Sequence, residues 1–351
     1  MLVLRVVVFI FGLGITLAAF RSVIRTLILP RSAPDPITGL VFRTIRRFFD
    51  FRLRWSKDYP ARDSVMAYYA PTSLLFLPIV WLSVVLIGFT LMFWGSGIEN
   101  WAEAFTISGS SLLTLGFARG DTLFQTILAF IEAALGLILV ALLIAFLPTM
   151  YNAFEQRETA VTLLEVRAGK PPSALEMLLR YHRNQGLDSL HESWRAWEVW
   201  FAEIEESHTS LAALVFFRSP QPHQSWVTAS GTVLDAAALT LSSIDIPWDA
   251  QAALCIRAGY LALRRIADFF GVEYNEYPVY PADPISITRE EFDIVFNRLS
   301  AAGMPVKADR EQAWQDFAGW RVNYDKTLLS LSRLTMAPEA PWTSDREPVA
   351  N

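Results

Sequence analysis

A single cysteine, Cys255, stands among 351 residues, so no disulfide framework staples this chain. Set among Ala, Leu and Ile, Cys255 reads as a buried, inert thiol. Histidine is nearly as scarce. His182, His191, His208 and His223 follow no metal-ligand spacing, and His191-Glu192 lacks the second histidine of the zinc pattern. Seven glycines scattered beyond residue 155 build no phosphate loop, and neither a calcium loop nor an alternating strand run occurs. No catalytic constellation emerges, so neither an enzyme nor a cofactor is expected. Charge is thin as well, at 19% of residues. It is also split: residues 1–154 carry 12 Lys and Arg against 8 Asp and Glu, and residues 155–351 carry 18 against 27. Neither half has the concentrated basic face that nucleic acid requires.

What the chain does have is apolar mass. Hydrophobic residues make up 53%, with 24 Phe and 12 Trp, and the mean hydropathy is +0.31. That composition excludes a wholly disordered chain. Three stretches reach the roughly 20 residues that a helix needs to cross a bilayer. They are Leu2–Leu29, Pro71–Trp94, which is free of charge, and Leu123–Leu147, whose one charge is Glu132. The first reads as a retained membrane helix rather than a signal peptide, because apart from Arg5 its charge, at Arg21, Arg25 and Arg31, follows the apolar run. Residues 30–70 hold Arg31, Arg43, Arg46, Arg47, Arg52, Arg54, Lys57 and Arg62 against four Asp, which marks a cytoplasmic loop. The expected protein is a multi-pass resident of the cell (plasma or inner) membrane, with its N-terminus outside and its acidic C-terminal part in the cytoplasm. Within the basic loop, Val41, Phe42, Ile45, Phe48, Phe49 and Leu53 recur at helical spacing with arginines between them. Residues 40–55 therefore read as an amphipathic helix on the inner leaflet, near anionic lipid headgroups.

Residues 99–121 are too short to cross and end in a loop with two glycines. A short helix over about Asn100–Leu113, rich in hydroxyls, would turn its negative end toward that loop. Backbone carbonyls following such a helix can replace an ion's hydration shell.

Thr114-Leu115-Gly116-Phe117, with Gly120-Asp121 beyond, resembles the selectivity filter of the potassium-channel superfamily. Phe105, Ser108, Ser111 and Leu112 fall where that family places its pore-helix aromatic and hydroxyl residues, and Gly136 falls near its inner-helix hinge glycine. The resemblance covers residues 71–150. It implies a homotetramer that passes cations, potassium foremost, along the carbonyls of Thr114, Leu115, Gly116 and Phe117, with no other metal site. Arg119, Gly120 and Asp121 would ring the outer mouth. The sequence departs from the family where Ala118 and Arg119 separate Phe117 from Gly120, and where Thr106 and Ile107 replace the bracing aromatic pair. The alternative is a non-conducting or non-selective pore-like receptor or scaffold that signals through its cytoplasmic helices.

Glu132 admits two readings: a functional intramembrane acid, or a neutral acid bracing the back of the filter against a pore-helix hydroxyl. Residues 155–335 read as helices at 155–168, 172–185, 189–213, 225–242, 248–271, 288–302 and 309–335. Capping boxes are expected at Ser189/Glu192, Thr288/Glu291 and Asp309/Gln312. Trp194, Trp197, Phe201 and Ile204 form a stripe suited to a core. The expected organisation is an all-α integral membrane protein. It comprises an N-terminal transmembrane helix (1–30), a basic cytoplasmic segment (31–70), a pore domain (71–154), a helical cytoplasmic domain (155–335) and a disordered tail (336–351). The pore domain divides into an outer helix (71–95), a pore helix with its filter (99–121) and an inner helix (122–154).

Overall fold

The computed structural model describes residues 1–29, 35–56 and 58–348; Arg31, Lys57 and the last three residues of the expected tail lie outside the described residues. The chain is 73% helical and, among the described residues, has no strand. It divides into two compact units, residues 1–57 with 65–152, and residues 58–64 with 153–351.

In the first unit, α1 (Leu2–Val23) passes into a π-turn at Ile24–Ile28, α4 spans Tyr69–Gly95, and α6 begins at Leu123 and continues to Ala168. These three helices are long and apolar enough to cross a membrane. Apolar side chains give helices no hydrophobic drive toward each other in lipid, so packing must come from small residues and polar contacts. Gly12, Thr16, Ala19 and Ser22 form the buried stripe of α1. A Cβ added at Gly12 would collide with the carbonyl of Gly88 on α4, and one at Gly88 with the hydroxyl of Thr16. At one end of this pair, Arg5 donates to Glu99 at 2.8 Å. At the other, Trp81 Nε1 donates to Ser22 Oγ at 2.9 Å, and Ser22 donates to Asp35 at 2.5 Å. Asp35 in turn caps α2 (Pro36–Leu53) through the N–H groups of Ile37 and Thr38. The amphipathic helix thus starts four residues before the expected position, where Asp35 caps it and Pro36 supplies a preset φ at its first turn. The expected 31–70 segment is also not one piece. Asp58–Ser64, most of α3 (Tyr59–Met66), packs with the second unit.

The second unit takes the end of α6 together with α7 (Ala174–Arg183), α8 (Leu190–Ser210), α9 (Trp226–Ser243), α10 (Ala250–Phe269), α11 (Arg289–Ala301), α12 (Arg310–Arg321) and α13 (Asp325–Thr335). Helix α9 is buried along its entire length. Trp194, Trp197, Phe201 and Ile204 lie in the core, as does Cys255. Arg321 is also fully buried. It forms a two-pronged pair with Asp235 at 2.5 and 2.6 Å, bonds Asp325 at 2.7 Å and donates to the Trp342 carbonyl at 2.6 Å. Burial alone would lower the Arg321 pKa; the two carboxylates hold it above its ordinary value.

Three expectations for this unit are corrected. The tail is ordered through Pro348: Trp342 packs on Phe317, its carbonyl accepts from Arg321, and Arg346 pairs with Glu291. Residues 309–335 form two helices rather than one, because the Asn323 side chain takes the carbonyls of Gly319 and Trp320 and breaks the ladder. Ser189 does not cap α8. It is already helical within the 3₁₀ turn Leu187–Ser189, and its hydroxyl donates back to the Gly186 carbonyl. The Thr288/Glu291 box forms fully, whereas at Asp309 only the aspartate-to-Gln312 half does.

On α6, Arg157 is buried. It donates to the carbonyls of Leu214 and Phe217, both at 2.9 Å, bonds Glu158, and lies 3.2 Å from His208 Nε2. Burial first and the Arg157 charge second hold His208 well below its ordinary pKa. Two predictions follow from these buried charges. Asp235→Ala, which strips Arg321 of its bidentate partner, should cost about 3–5 kcal/mol, read as lost hydrogen-exchange protection across α9 and α12. Because its pKa is lowered in the folded chain, His208 takes up its proton more readily in the unfolded chain. Its contribution is therefore complete above pH about 6.5 and falls by about 1.4 kcal/mol per pH unit below that value. Chemical denaturation at pH 7.5 and 5.5 should show this loss, and His208→Gln, which keeps an acceptor for Arg157, should flatten it.

Candidate functional site

The segment between α4 and α6 opens with α5 (Trp101–Leu112), capped by Asn100, whose side chain accepts from the Ala102 N–H. Its buried face carries Ala104, Ile107, Ser108, Ser110, Ser111 and Leu112. Ser108 Oγ lies 2.5 Å from Glu132 Oε1 and 3.2 Å from the Leu86 carbonyl, and so joins α5 to both neighbouring helices. Glu132 is fully buried, and its second oxygen has no partner among the described residues. One turn along α6, a Cβ at Gly136 would collide with the Leu112 carbonyl at the end of α5. Gly136 thus admits the end of the short helix against α6, which runs unbroken through both Gly136 and Pro148. Ser111 Oγ donates to the Ile107 carbonyl within α5, and Phe105 is half exposed.

Past Leu112 the backbone turns sharply. Thr114 has φ +56° and Gly116 φ +71°. For a β-branched residue the left-handed region is strained, and it persists only where the surroundings impose it. Here Ser110 and Ser111 impose it. The Thr114 N–H donates to the Ser111 carbonyl at 3.0 Å. The N–H groups of Leu115 and Gly116 both donate to the Ser110 carbonyl, at 2.8 and 3.3 Å. The Ala118 N–H donates to Ser110 Oγ at 3.1 Å. One serine therefore gathers three donors of the loop. On the acceptor side the count is the reverse: among the described residues, no donor reaches the carbonyls of Thr114, Leu115, Gly116 or Phe117. The side chains of Thr114, Leu115 and Phe117 are all exposed.

Beyond the turn, Arg119 and Asp121 are exposed, and among the described residues no ion pair joins them. Glu99, which could have offset Arg119, is engaged by Arg5. Gly120 sits against Gln125, whose side chain accepts from the Thr122 N–H while Thr122 Oγ1 accepts from Gln125, a reciprocal cap on α6. The structure thus brings Ser108, Glu132, Gly136 and the end of α5 together behind the Thr114–Phe117 turn, and leaves Arg119 and Asp121 apart. Sequence reading placed Ser110 only among the hydroxyls of the short helix and gave it no role at the turn. Its signal was its place one turn before Thr114, where a helix's last carbonyls are left open. No family model, curated protein or solved structure matches the chain.

Ser108→Ala should leave the Glu132 carboxyl without a partner and cost about 1–3 kcal/mol in a detergent melt. Combined with Glu132→Leu, the same change should cost less than the two single losses added together, because both polar partners are then gone. Simple additivity would show that the two side chains do not act as a pair.

Proposed function

We propose that this chain is one subunit of a tetrameric cation channel, and that potassium passes along the carbonyls of Thr114, Leu115, Gly116 and Phe117. The observation that carries the reading is the imbalance at that turn: the N–H groups of Thr114, Leu115, Gly116 and Ala118 are taken by Ser110 and Ser111, while among the described residues no donor reaches the four successive carbonyls of Thr114 to Phe117. Irregular backbone between two spanning helices needs burial or a wet cavity, and a run of unpaired carbonyls at the carbonyl end of α5 suits a cation. A single chain supplies one ladder, so the ring must come from further copies. The exposed apolar residues Leu113, Leu115, Phe130 and Ile131 give those copies, or lipid, something to cover. Fourfold assembly and potassium preference rest on the resemblance of Thr114–Phe117 to the potassium-channel filter.

Orientation follows from the basic 30–70 loop: N-terminus outside, second unit in the cytoplasm. Gating belongs to that unit. It grips Arg157 on the continuation of α6. It also holds Tyr59 and Asp63, directly ahead of α4, through Arg218: Asp63 pairs with Arg218 at 3.0 Å, and both Tyr59 and Arg218 bond the Met336 carbonyl. A shift of this unit can therefore pull on both spanning helices that flank the site. A pore-like receptor that signals without conducting is the competing reading.

Purified protein in liposomes should carry a potassium flux, and Gly116→Val should abolish it without preventing assembly. Nothing lies within 4 Å of a Cβ at Gly116, so the obstacle is its φ of +71° rather than space. A flux that survives the substitution with unchanged selectivity would misplace the ladder, and silence of the unaltered protein would favour the receptor. Arg119 gives a second test. Four copies about 8 Å from an entering cation oppose it by about 2 kcal/mol in total at near-bulk dielectric. Arg119→Gln should raise inward current at low salt, with the gain fading toward 1 M, where the screening length is about 3 Å. An unchanged current at low salt would remove Arg119 from the mouth.

A further inference from the structure

We propose that the outward face of α2 is a binding surface for anionic phospholipid of the membrane leaflet that α2 adjoins. The helix uses one face internally: Val41, Phe49 and Leu53 are buried, the Phe49 ring meets Tyr69 at the start of α4, and the Tyr69 hydroxyl donates to the Phe42 carbonyl. Its opposite face carries a second apolar stripe that nothing in its own unit covers. Leu40, Phe48, Phe51 and Trp55 are 60%, 68%, 53% and 61% exposed. At about 100° per residue these positions fall within one sector of roughly 80°. Phe51 and Trp55 meet edge to face at 4.7 Å and form one aromatic block.

Beside that stripe, in the next sector of roughly 40°, stand Arg43, Arg47 and Arg54. All three are exposed and have no carboxylate partner among the described residues. Arg54 lies over the Phe51 ring at 5.8 Å, against the apolar stripe. Arg46, by contrast, is withdrawn into a pair with Asp50 at 2.9 Å and faces Tyr69, so it takes no part. Arg52, exposed and likewise without a carboxylate partner among the described residues, stands on the other flank beyond Phe48, and an aromatic stripe bordered by such guanidinium groups matches the boundary between acyl chains and phosphate headgroups.

The depth of α2 agrees. Counted back from Gly95, beside the stacked pair Trp94 and Trp101, about 20 residues of α4 use up the hydrocarbon thickness and end near Phe76. Tyr69, which holds α2, lies about 10 Å further on, at the aqueous edge of a headgroup layer roughly 5–8 Å deep. From there the arginines can meet phosphate while Phe48, Phe51 and Trp55 reach into the headgroup layer. The proposal requires only that the chain sit in a membrane, so it stands or falls separately from conduction.

The test uses the full chain in nanodiscs, with Cys255→Ala and a fluorophore on Phe48→Cys. The probes are phosphatidylglycerol and phosphatidylcholine, each with brominated acyl chains that quench at contact. Brominated phosphatidylglycerol should quench at a far lower mole fraction than brominated phosphatidylcholine. Replacing Arg43, Arg47 and Arg54 together by Gln should reduce that preference about a hundredfold, the product of three headgroup contacts. The same substitutions should leave the melting profile in neutral detergent unchanged, since the three side chains face outward. Excess free glycerol phosphate should not displace the lipid. Equal quenching by both lipids would overturn the proposal, as would displacement by glycerol phosphate. Absence of quenching, together with oxidant-driven disulfide cross-linking between copies of the unlabelled Phe48→Cys protein, would instead assign the stripe to a subunit contact and overturn it too.

Discussion

Every backbone N–H and C=O between two apolar helices must find a partner, because lipid offers none. The organisation of the first unit follows from that constraint. The Ser110 carbonyl and hydroxyl absorb the donors of the turn after α5, and the left-handed conformations of Thr114 and Gly116 are the geometry that lets one residue serve Leu115, Gly116 and Ala118 together. Among the described residues no donor reaches the carbonyls of Thr114, Leu115, Gly116 or Phe117, and in the proposed channel a cation or its water would take that place. The strain at Thr114, of order 1–3 kcal/mol, is tolerable only because several bonds impose it at once.

Holding α5 in place is the task of its neighbours. Ser108 bridges Glu132 on α6 and the Leu86 carbonyl on α4, and Gly136 lets α6 close on the last carbonyl of α5. Because both contacts lie on α6, displacement of that helix acts on the turn. Within the second unit, Arg157 on the continuation of α6 is buried against Leu214, and Tyr59 and Asp63 cluster with Arg218. In the proposed channel, permeation and control would thus share one continuous piece of backbone.

The long apolar helices were legible because hydropathy needs no partner to be read: Pro71–Trp94 and Leu123–Leu147 fall within the helices observed, and Leu2–Leu29 overruns its helix, which ends at Ile28, by one residue. The short helix of the site was equally plain, from its Asn100 cap to Leu112. Contacts made across helices were not legible. Nothing local pairs Gly12 with Gly88 or Arg321 with Trp342, because each joins residues that only tertiary packing brings together. The tail misled for the same reason. Its prolines suit a free end, yet Trp342 finds Phe317 and the Arg321 guanidinium finds a carbonyl. The break after Arg321 was hidden because Asn323 disrupts the helix by taking two specific carbonyls, and composition does not register that competition.

The central claim is that the free carbonyls of Thr114, Leu115, Gly116 and Phe117 form a path for cations. The reversal potential of the reconstituted protein in a planar bilayer, with potassium on one side and sodium on the other, measures that path directly. The account predicts cation current with potassium at least as permeant as sodium. A reversal potential set by chloride, or a bilayer that stays silent under every condition, would contradict it.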